Sequence, residues 1–205
     1  MNTWLGNFGK EWTDRNLLTL ADMENMYLRN FGKTRTEMNE EVLHDMQKDI
    51  KILEVGSNVG IQLLCLQNMG YENLYGIELR PDAVELSKSR TKSISLIQGS
   101  AFDIPFKDEY FDLVFTSGLL IHISPNDIQE VMEEMHRCTS KYIWGFEYYS
   151  DQYTEIDYRG NKNLLWKTNF AQLFLDYFAD LHLVRRQKYE YIGSDNIDEM
   201  YLLET

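Results

Sequence analysis

KILEVGSNVG, residues Lys51 to Gly60, runs from an apolar segment through Glu54 into a loop that contains Gly56 and ends at Gly60. The apolar segment predicts a buried strand, and the following stretch VGIQLLCLQNM has apolar residues at spacings of three and four, which predicts a helix. The two glycines allow a tight turn and a close approach of the backbone to a ligand. A carboxylate that closes a strand, followed by a loop of small residues, predicts a binding site at this junction.

The same alternation continues along the chain. Strand patterns at ENLYGIEL, SISLIQG, YFDLVFTSG and KYIWGFEYY alternate with helical patterns at RPDAVELSKSR and SPNDIQEVMEEMHRCT. A helix (NFAQLFLDYFA) and two strands (LHLVRRQKYEYI, DEMYLLET) complete the chain. This order predicts right-handed crossovers and a doubly wound α/β fold with a mostly parallel, seven-stranded sheet.

We expect one domain over residues 1–205, which divides into three parts. Residues 1–49 are a helical extension, residues 50–147 form the core, and residues 148–205 hold a polar, tyrosine-rich excursion followed by the last helix and strands. The length of 205 residues suits a single core.

Composition limits the partners. The net charge of −13 would repel DNA, RNA and anionic membranes, so we expect a small-molecule substrate, with no nucleic acid and no membrane as partner. No apolar run reaches the roughly 18 residues of a membrane span, and MNTWLGNFGKEW lacks the features of a signal peptide. Cys65 and Cys138 fall in helical patterns as buried thiols, and no zinc spacing occurs, so we expect no metal and a cytoplasmic location. The oligomeric state stays open.

The loop and a second acid favour a particular kind of cofactor. In parallel sheets, ligands bind beyond the carboxyl ends of the strands, and Glu78 closes the second strand, where a carboxylate can accept hydrogen bonds from a ribose diol. A dinucleotide loop would have glycine where Asn58 stands, because a side chain there crowds the pyrophosphate. Glu54 would also repel phosphate. These residues favour a cationic nucleoside without phosphates, such as S-adenosylmethionine (SAM).

Four motifs in order, ILEVGSNVG, YGIEL, GSAFDIPF and YFDLVFTSGLLIHI, resemble the successive motifs of class I SAM-dependent methyltransferases over residues 51–123. The resemblance implies SAM as cofactor and a set of cofactor-binding residues. Those implied near the methionine part are Glu54, Gly56, Ser57, Asn58 and Gly60, with Thr116 and Ser117 beneath it. Those implied at the ribose and adenine are Glu78, Leu79, Ser100, Ala101 and Phe102. The family usually has an acid where Ser100 stands, so an acidic contact to the adenine is not implied.

A narrower resemblance covers most of the chain. FGKEWTDRN, LRNFGKTRTEMNE, HRCTSKYIWGFEYYS and YRGNKNLLWKTNFA are similar to small methylases associated with pseudaminic acid biosynthesis. That family is named for its gene neighbourhood, so the resemblance implies the fold and the cofactor more directly than the methyl acceptor.

Candidate catalytic residues follow the fourth and fifth strands. His122 follows the fourth strand and is our first candidate for a general base; the alternative is a structural histidine that shapes the loop. Glu147, Tyr148 and Tyr149 end the fifth strand, where a glutamate with tyrosines can hold an ammonium group by charge and cation–π contact. The alternative is that the tyrosines only cover the sheet edge.

Further candidates lie in the excursion and ahead of the first strand. Arg159 can clamp a carboxylate or phosphate, with Tyr158 and Lys167 as further substrate-binding candidates; a solvated loop arginine is the alternative. In the N-terminal extension, Trp12 can seal the site as part of a lid and Arg15 can pair with the cofactor carboxylate. The alternative there is an amphipathic helix packed on the sheet, with its arginines in water.

The sequence therefore predicts a methyltransferase that acts on nitrogen or oxygen of a small polar metabolite. An amino sugar, a nonulosonic acid or an amino-acid-like compound is the favoured acceptor. The alternatives are a non-catalytic SAM-binding module and a nicotinamide-dependent oxidoreductase on a similar sheet.

Overall fold

A seven-stranded sheet forms the centre of the protein in a computed structural model that describes residues 2–205. Its strands are β1 (Lys51–Val55), β2 (Asn73–Glu78), β3 (Ser95–Gln98), β4 (Phe111–Ser117), β5 (Thr139–Tyr148), β8 (His182–Glu190) and β9 (Ile197–Glu204). The strand order is β3-β2-β1-β4-β5-β9-β8. β1 to β5 are parallel, whereas β9 runs antiparallel between β5 and β8. The predicted fold class is confirmed.

Helices cover both faces of the sheet. They are α1 (Asn2–Leu5), α2 (Asn7–Arg15), α3 (Leu20–Phe31), α4 (Arg35–Leu43), α5 (Ile61–Asn68), α6 (Pro81–Arg90), α7 (Ile128–Cys138) and α8 (Phe170–Tyr177), with a short 3₁₀ turn at Leu120–His122. Because the crossovers place helices on each face, the central strands β1 and β4 are mostly apolar and almost entirely buried. Cys65 and Cys138 are both buried thiols.

Local signals in the sequence explain where several helices begin. Thr19 and Thr34 each cap a helix in a reciprocal capping box, with Asp22 and Glu37 three residues later. Pro81 occupies the first turn of α6, where its missing N–H costs nothing. These caps fix the start of α3 and α4 and therefore the position of the residues that begin them.

The N-terminal extension divides into two parts with different roles. α3 and α4 pack against the sheet and α5, burying Met23, Met38 and Leu43 in one of the two hydrophobic clusters. α1 and α2 instead lie over the carboxyl end of the sheet, where Trp4 and Trp12 line a cavity. The lid therefore consists of α1 and α2 alone, because most of the N-terminal extension contributes to the core. Met1 lies outside the described residues.

The excursion after β5 is a small hairpin, which the sequence pattern did not predict. Its strands β6 (Thr154–Glu155) and β7 (Trp166–Lys167) pair antiparallel. The turn between them carries Tyr158 and Arg159 over the same end of the sheet that the lid covers. None of the helices in residues 2–205 has the length and apolar character needed to cross a bilayer.

Candidate active site

The loop after β1 has the backbone conformation that its glycines predict. Gly56 and Gly60 have φ angles of +77° and +75°, and Asn58 has a φ of +45°. The amides of Gly56 and Ser57 both donate to the carbonyl oxygen of Ile77, at 2.9 Å each. The loop is therefore fastened to the end of β2, and the left-handed φ at Gly56 is one that a β-branched residue would adopt only with strain.

Glu78 is the acid that closes β2, and its carboxylate holds two neighbouring backbone segments. Its Oε2 accepts a hydrogen bond from the amide of Asn58 at 3.0 Å, and its Oε1 accepts one from the amide of Arg80 at 2.9 Å. Burial raises the pKa of Glu78, which these amides partly offset. Each oxygen keeps a further lone pair, so the carboxylate can still accept from a bound diol.

A first cavity of about 300 Å³ opens beside Glu78. Its walls include four residues predicted to surround adenine, together with the loop and the lid: Leu79, Ser100, Ala101, Phe102, Gly56, Asn58, Trp12 and Thr13. Apolar side chains and backbone on two sides of a carboxylate suit a nucleoside. The cavity also includes Arg80, a potential phosphate ligand, but its guanidinium is already engaged elsewhere, as described below.

Glu54 faces a second, larger cavity of about 610 Å³. The side chain is only 3% exposed, and its Oε2 has no hydrogen-bond partner within residues 2–205. Burial raises its pKa well above the ordinary value for a glutamate, while the nearby Arg35 guanidinium opposes the rise. A buried carboxylate oxygen without a partner is costly, and a bound cation would relieve that cost.

Arg35 is a buried cation that the sequence did not identify as part of the core. It lies at the start of α4, fully buried, with the ring of Phe146 4.2 Å from its guanidinium carbon. Its guanidinium donates to the hydroxyl of Tyr27 at 3.1 Å and to that of Ser117 at 3.3 Å. Arg35 therefore supports the end of β4 from beneath and places positive charge behind Glu54.

His122 lies where the two cavities meet and lines both. Its Nδ1 is 2.7 Å from the carbonyl oxygen of Leu164, which only accepts, so Nδ1 carries the proton and Nε2 keeps a lone pair. Burial lowers the pKa of His122 to about 4, so the ring is neutral near pH 7. Rings of Trp4 and Tyr158 lie 4.5 Å and 5.4 Å from it. The ring is thus oriented to accept a proton at Nε2.

Glu147 lines the second cavity, but its oxygens are used by the backbone. They accept hydrogen bonds from the amides of Leu119 and Ile121, at 3.1 Å and 3.3 Å. Burial raises the pKa of Glu147 to about 7. The carboxylate therefore fixes the turn that carries His122, a positioning role that the sequence pattern did not suggest. Its neighbour Tyr148 is half-buried in the same cavity wall.

Asp198 is a wall residue of the second cavity that sequence reasoning missed. It is the second residue of β9 and is paired in the sheet with Tyr148. Its Oδ2 accepts a hydrogen bond from the hydroxyl of Tyr191 at 3.0 Å. The signal that could have revealed it is the pair of acids, Asp198 and Glu199, directly before the apolar part of β9, both of which are buried.

The hairpin residues differ in their relation to the cavities. Tyr158 and Arg159 line the second cavity, as a substrate role requires. Tyr149 and Lys167 line neither cavity: the hydroxyl of Tyr149 donates to Asp151, and the ammonium of Lys167 donates to Asn196. Tyr149 was predicted to touch substrate because it follows Tyr148, but the chain has left β5 there and the ring packs beneath Lys188 on the surface.

The remaining predicted cofactor residues occupy the expected region. Ser57 and Arg15 line the second cavity, and Ser117 lines both. Thr116 is fully buried beneath the end of β4, and Gly60 caps the start of α5 rather than facing a cavity. The cofactor set thus gathers at one end of the sheet, with these two members behind the cavity walls.

Arg80 fastens the lid to the core. One terminal nitrogen of its guanidinium donates to the carbonyl oxygens of Trp4, Leu5 and Gly6, at 3.2, 3.1 and 3.0 Å. The other donates to Asp82 at 2.6 Å. These acceptors occupy both terminal nitrogens of Arg80 and leave only its buried Nε without a partner within residues 2–205, so little capacity is left for a phosphate in the first cavity.

Replacing Arg80 with methionine should therefore loosen the lid alone. Methionine keeps the length of the side chain and the backbone amide bond to Glu78 but loses the three donations to the lid. We expect amide hydrogen exchange in residues 2–15 to accelerate about tenfold or more, while exchange in α3 and α4 stays unchanged. The exposed Lys88, replaced by methionine on the same helix, is the matched control. Unchanged exchange in residues 2–15 would contradict this account of the lid.

Among the buried carboxyls whose pKa is raised, Glu147 and Asp198 are raised to about 7 and make stability depend on pH near neutrality. Burial raises the pKa of Asp198 to about 7, as it does for Glu147; Arg35 and Lys167 oppose the rise at Asp198, and Glu147 adds to it. The native state then keeps protons that the unfolded state releases, so the free energy of unfolding falls as pH rises towards 7. The loss is on the order of 3 kcal/mol per group.

We expect the ligand-free protein to unfold at least about 5 °C lower at about pH 8 than at about pH 5.5 in thermal melts. Asp198→Asn removes one of the two groups and should flatten this dependence. A melting temperature that rises over this interval, or an equally steep dependence in Asp198→Asn, would contradict the burial of these carboxyls.

Comparison with known proteins indicates a methyltransferase domain. Residues 53–142 match a family model described as a methyltransferase domain. An uncharacterized methyltransferase of Synechocystis sp. is 30% identical over 87 residues, a match that spans 42% of this chain and 41% of that protein. The match therefore covers about two fifths of the relative's length. The domain model and this relative support an enzyme of the methyltransferase class.

Solved structures match more of the chain but at low identity, so they show the fold. A SAM-dependent methyltransferase from Methanosarcina mazei is 14% identical with a TM-score of 0.64, covering 79% of this chain and 95% of that one. The [4+2]-cyclase SpnF is 11% identical with a TM-score of 0.65, covering 83% of this chain and 79% of that one. The second example is a reminder that one fold carries different reactions, which must be argued from the site.

Proposed function

We propose that this protein transfers a methyl group from SAM to a nitrogen or oxygen of a small polar metabolite. The observation that carries the proposal is the pair of adjoining cavities, which share Gly56, Asn58, Ser117 and His122. The first has the carboxylate and apolar walls suited to adenosine. The second has room for the methionine part and for an acceptor, with His122 at the junction.

The residues fit a cationic, phosphate-free cofactor. Glu54 has a buried oxygen without a partner in the described chain, and an amino group would supply one. Glu78 would hold the ribose, and Leu79 and Phe102 would flank the adenine. Arg15 lies in the wall of the second cavity, where a cofactor carboxylate would find a cation. When bound, SAM supplies a methyl group activated by its sulfonium.

The chain's own residues would align the acceptor and exclude water, which is what a direct displacement needs. Trp12 and the rest of the lid close the first cavity from above. Arg159 lies at the second cavity as an anchor for an anionic group of the acceptor. The neutral His122 would take at Nε2 the proton that an acceptor hydroxyl or ammonium must lose, and Glu147 would keep the turn of His122 in place.

The acceptor class rests on charge and on the narrower sequence resemblance. The likeness to methylases associated with pseudaminic acid biosynthesis favours an amino sugar or nonulosonic acid, and an amino-acid-like compound fits the same polar walls. We propose a small metabolite rather than a nucleic acid because the chain carries a net charge of −13. We propose a cytoplasmic location because Cys65 and Cys138 are both free thiols, which suits a reducing compartment.

Replacing His122 with alanine tests the assigned roles. With methyl-labelled SAM and a protein-free metabolite extract, we expect the wild type to transfer label and His122→Ala to transfer it about 100-fold more slowly. SAM affinity measured by calorimetry should stay close to that of the wild type. His136, which binds Asp180 outside both cavities, is the matched control for alanine replacement.

The outcomes separate the proposed enzyme from its rivals. A wild type that binds SAM but transfers no label would indicate a non-catalytic SAM-binding module. A wild type stabilised against thermal unfolding by NAD and not by SAM would indicate an oxidoreductase. Full turnover in His122→Ala would remove His122 as the base without affecting the rest of the proposal.

A further inference from the structure

The second cavity contains an unpartnered carboxylate oxygen on the side formed by the last strand. Asp198 is 3% exposed, and its Oδ1 has no hydrogen-bond partner within residues 2–205, while Oδ2 accepts from Tyr191. An unpaired carboxylate oxygen at this depth is expensive. The unpartnered Oδ1 lies in a wall that faces a cavity, where a donor group of a bound ligand can pair with it.

The neighbouring cations do not neutralise this carboxylate. The ammonium of Lys167 is directed to Asn196 and lies 5.3 Å above the ring of Tyr148. The guanidinium of Arg35 is directed to Tyr27 and Ser117. Neither cation forms a salt bridge with Asp198 in the described part of the chain. Asp198 is therefore an acceptor without a cationic partner.

Aromatic rings surround the same region of the cavity. Tyr27, Phe146, Tyr148 and Tyr191 all contribute to its walls, and the rings of Tyr148 and Tyr191 are 6.4 Å apart. A carboxylate among aromatic faces attracts an ammonium group by charge, by hydrogen bonding and by cation–π contact. It would repel an anion, and a neutral hydroxyl would supply a hydrogen bond but neither the charge attraction nor the cation–π contact.

We propose that Asp198, with Tyr148 and Tyr191, binds an ammonium group of the methyl acceptor, so that the acceptor is a zwitterion whose anionic group is held by Arg159. This inference rests on the proposed function, since it assigns the second cavity to the acceptor. It gives Glu54 and Asp198 different partners: Glu54 receives the amino group of the cofactor, and Asp198 receives that of the acceptor.

Matched probes test the charge that Asp198 recognises. 2-Amino-2-deoxygluconate carries an ammonium and a carboxylate, gluconate lacks the ammonium, and glucosamine lacks the carboxylate. Each is titrated by calorimetry into the full chain saturated with S-adenosylhomocysteine (SAH), which binds as the cofactor product and allows no turnover. The proteins are the wild type, Asp198→Asn, Tyr191→Phe and the exposed control Asp195→Asn.

We expect aminodeoxygluconate to bind the wild type roughly tenfold to a hundredfold more tightly than gluconate, because only the first has a charged donor for Asp198. Asp198→Asn should erase this preference, and Tyr191→Phe should reduce it. Asp195→Asn should keep it. Weaker binding of glucosamine than of aminodeoxygluconate supports the role of Arg159.

Three results would overturn the inference. The first is equal binding of gluconate and aminodeoxygluconate, or no binding of either, by a wild type that binds SAH. The second is an unchanged preference for aminodeoxygluconate in Asp198→Asn. The third is a loss of SAH affinity in Asp198→Asn, which would indicate that this carboxylate binds the cofactor and not the acceptor. If SAH does not bind the wild type, the proposed function fails and this inference fails with it. Thermal melts of Asp198→Asn establish that the variant is folded.

Discussion

Gly56→Val is expected to abolish measurable SAM binding, with an affinity loss of at least about 100-fold. Two effects act together. Gly56 has a φ of +77°, which valine adopts only with strain, and an added Cβ would lie 2.8 Å from a side-chain carbon of Leu119. The amides of Leu119 and Ile121 are held by Glu147, so the contact can be relieved only by rotation of the Leu119 side chain. Gly56 lines both cavities, so the strain and the contact both act on the wall of the proposed cofactor site.

A second glycine, Gly70, separates the effect of backbone strain from the effect of the steric contact with Leu119. Gly70 has a φ of +92°, but a Cβ there would meet no described heavy atom within 4 Å. Gly70→Val should lower stability in thermal melts and leave SAM affinity, measured by calorimetry, nearly unchanged. If Gly56→Val binds SAM like the wild type, or if Gly70→Val loses binding equally, the proposed cofactor loop is wrong.

Glu78→Ala is the second large expected effect, with SAM affinity falling about 100-fold. The substitution removes the acceptor for a ribose diol and also strands the amides of Asn58 and Arg80, which the carboxylate now holds. Calorimetry measures the loss. Glu72, exposed just before the other end of β2, is the matched control for glutamate-to-alanine replacement.

A ribose analogue separates the loss of hydrogen bonds to the ribose from the loosening of the loop that Glu78→Ala also causes. The wild type should bind SAH far more tightly than a 2′,3′-dideoxy analogue, and Glu78→Ala should bind the two about equally. If Glu78→Ala still prefers the diol as strongly as the wild type does, the carboxylate does not hold the ribose.

The sequence predicted the features that depend on local pattern. Apolar runs with glycine or acid at their ends located β1 and β2, and the parallel arrangement then placed Glu54 and Glu78 at the same end of the sheet. The right-handed crossovers between parallel strands are compatible with few other strand orders. The adenine-side residues were implied by the resemblance to the methyltransferase motifs rather than by local pattern.

Other features depend on contacts between distant segments, which local patterns do not encode. The last strand, β9, inserts antiparallel between β5 and β8, and this pairing alone brings Asp198 beside Tyr148. The sequence pattern did not place Arg35 in the core, but α4 packs so that its guanidinium lies among aromatic rings. The position of the lid likewise depends on Arg80, which donates to three carbonyl oxygens of the lid that lie more than 70 residues earlier in the chain.

A crystal structure of the wild type with SAH tests the central claim most directly. We predict that the adenosine occupies the first cavity with its ribose hydroxyls on Glu78, and that the amino acid part extends into the second cavity with its amino group at Glu54. His122 should lie beside the sulfur, with the region of Asp198 left open for the acceptor. A structure with these cavities closed by side chains, or with the nucleoside bound elsewhere, would contradict the account.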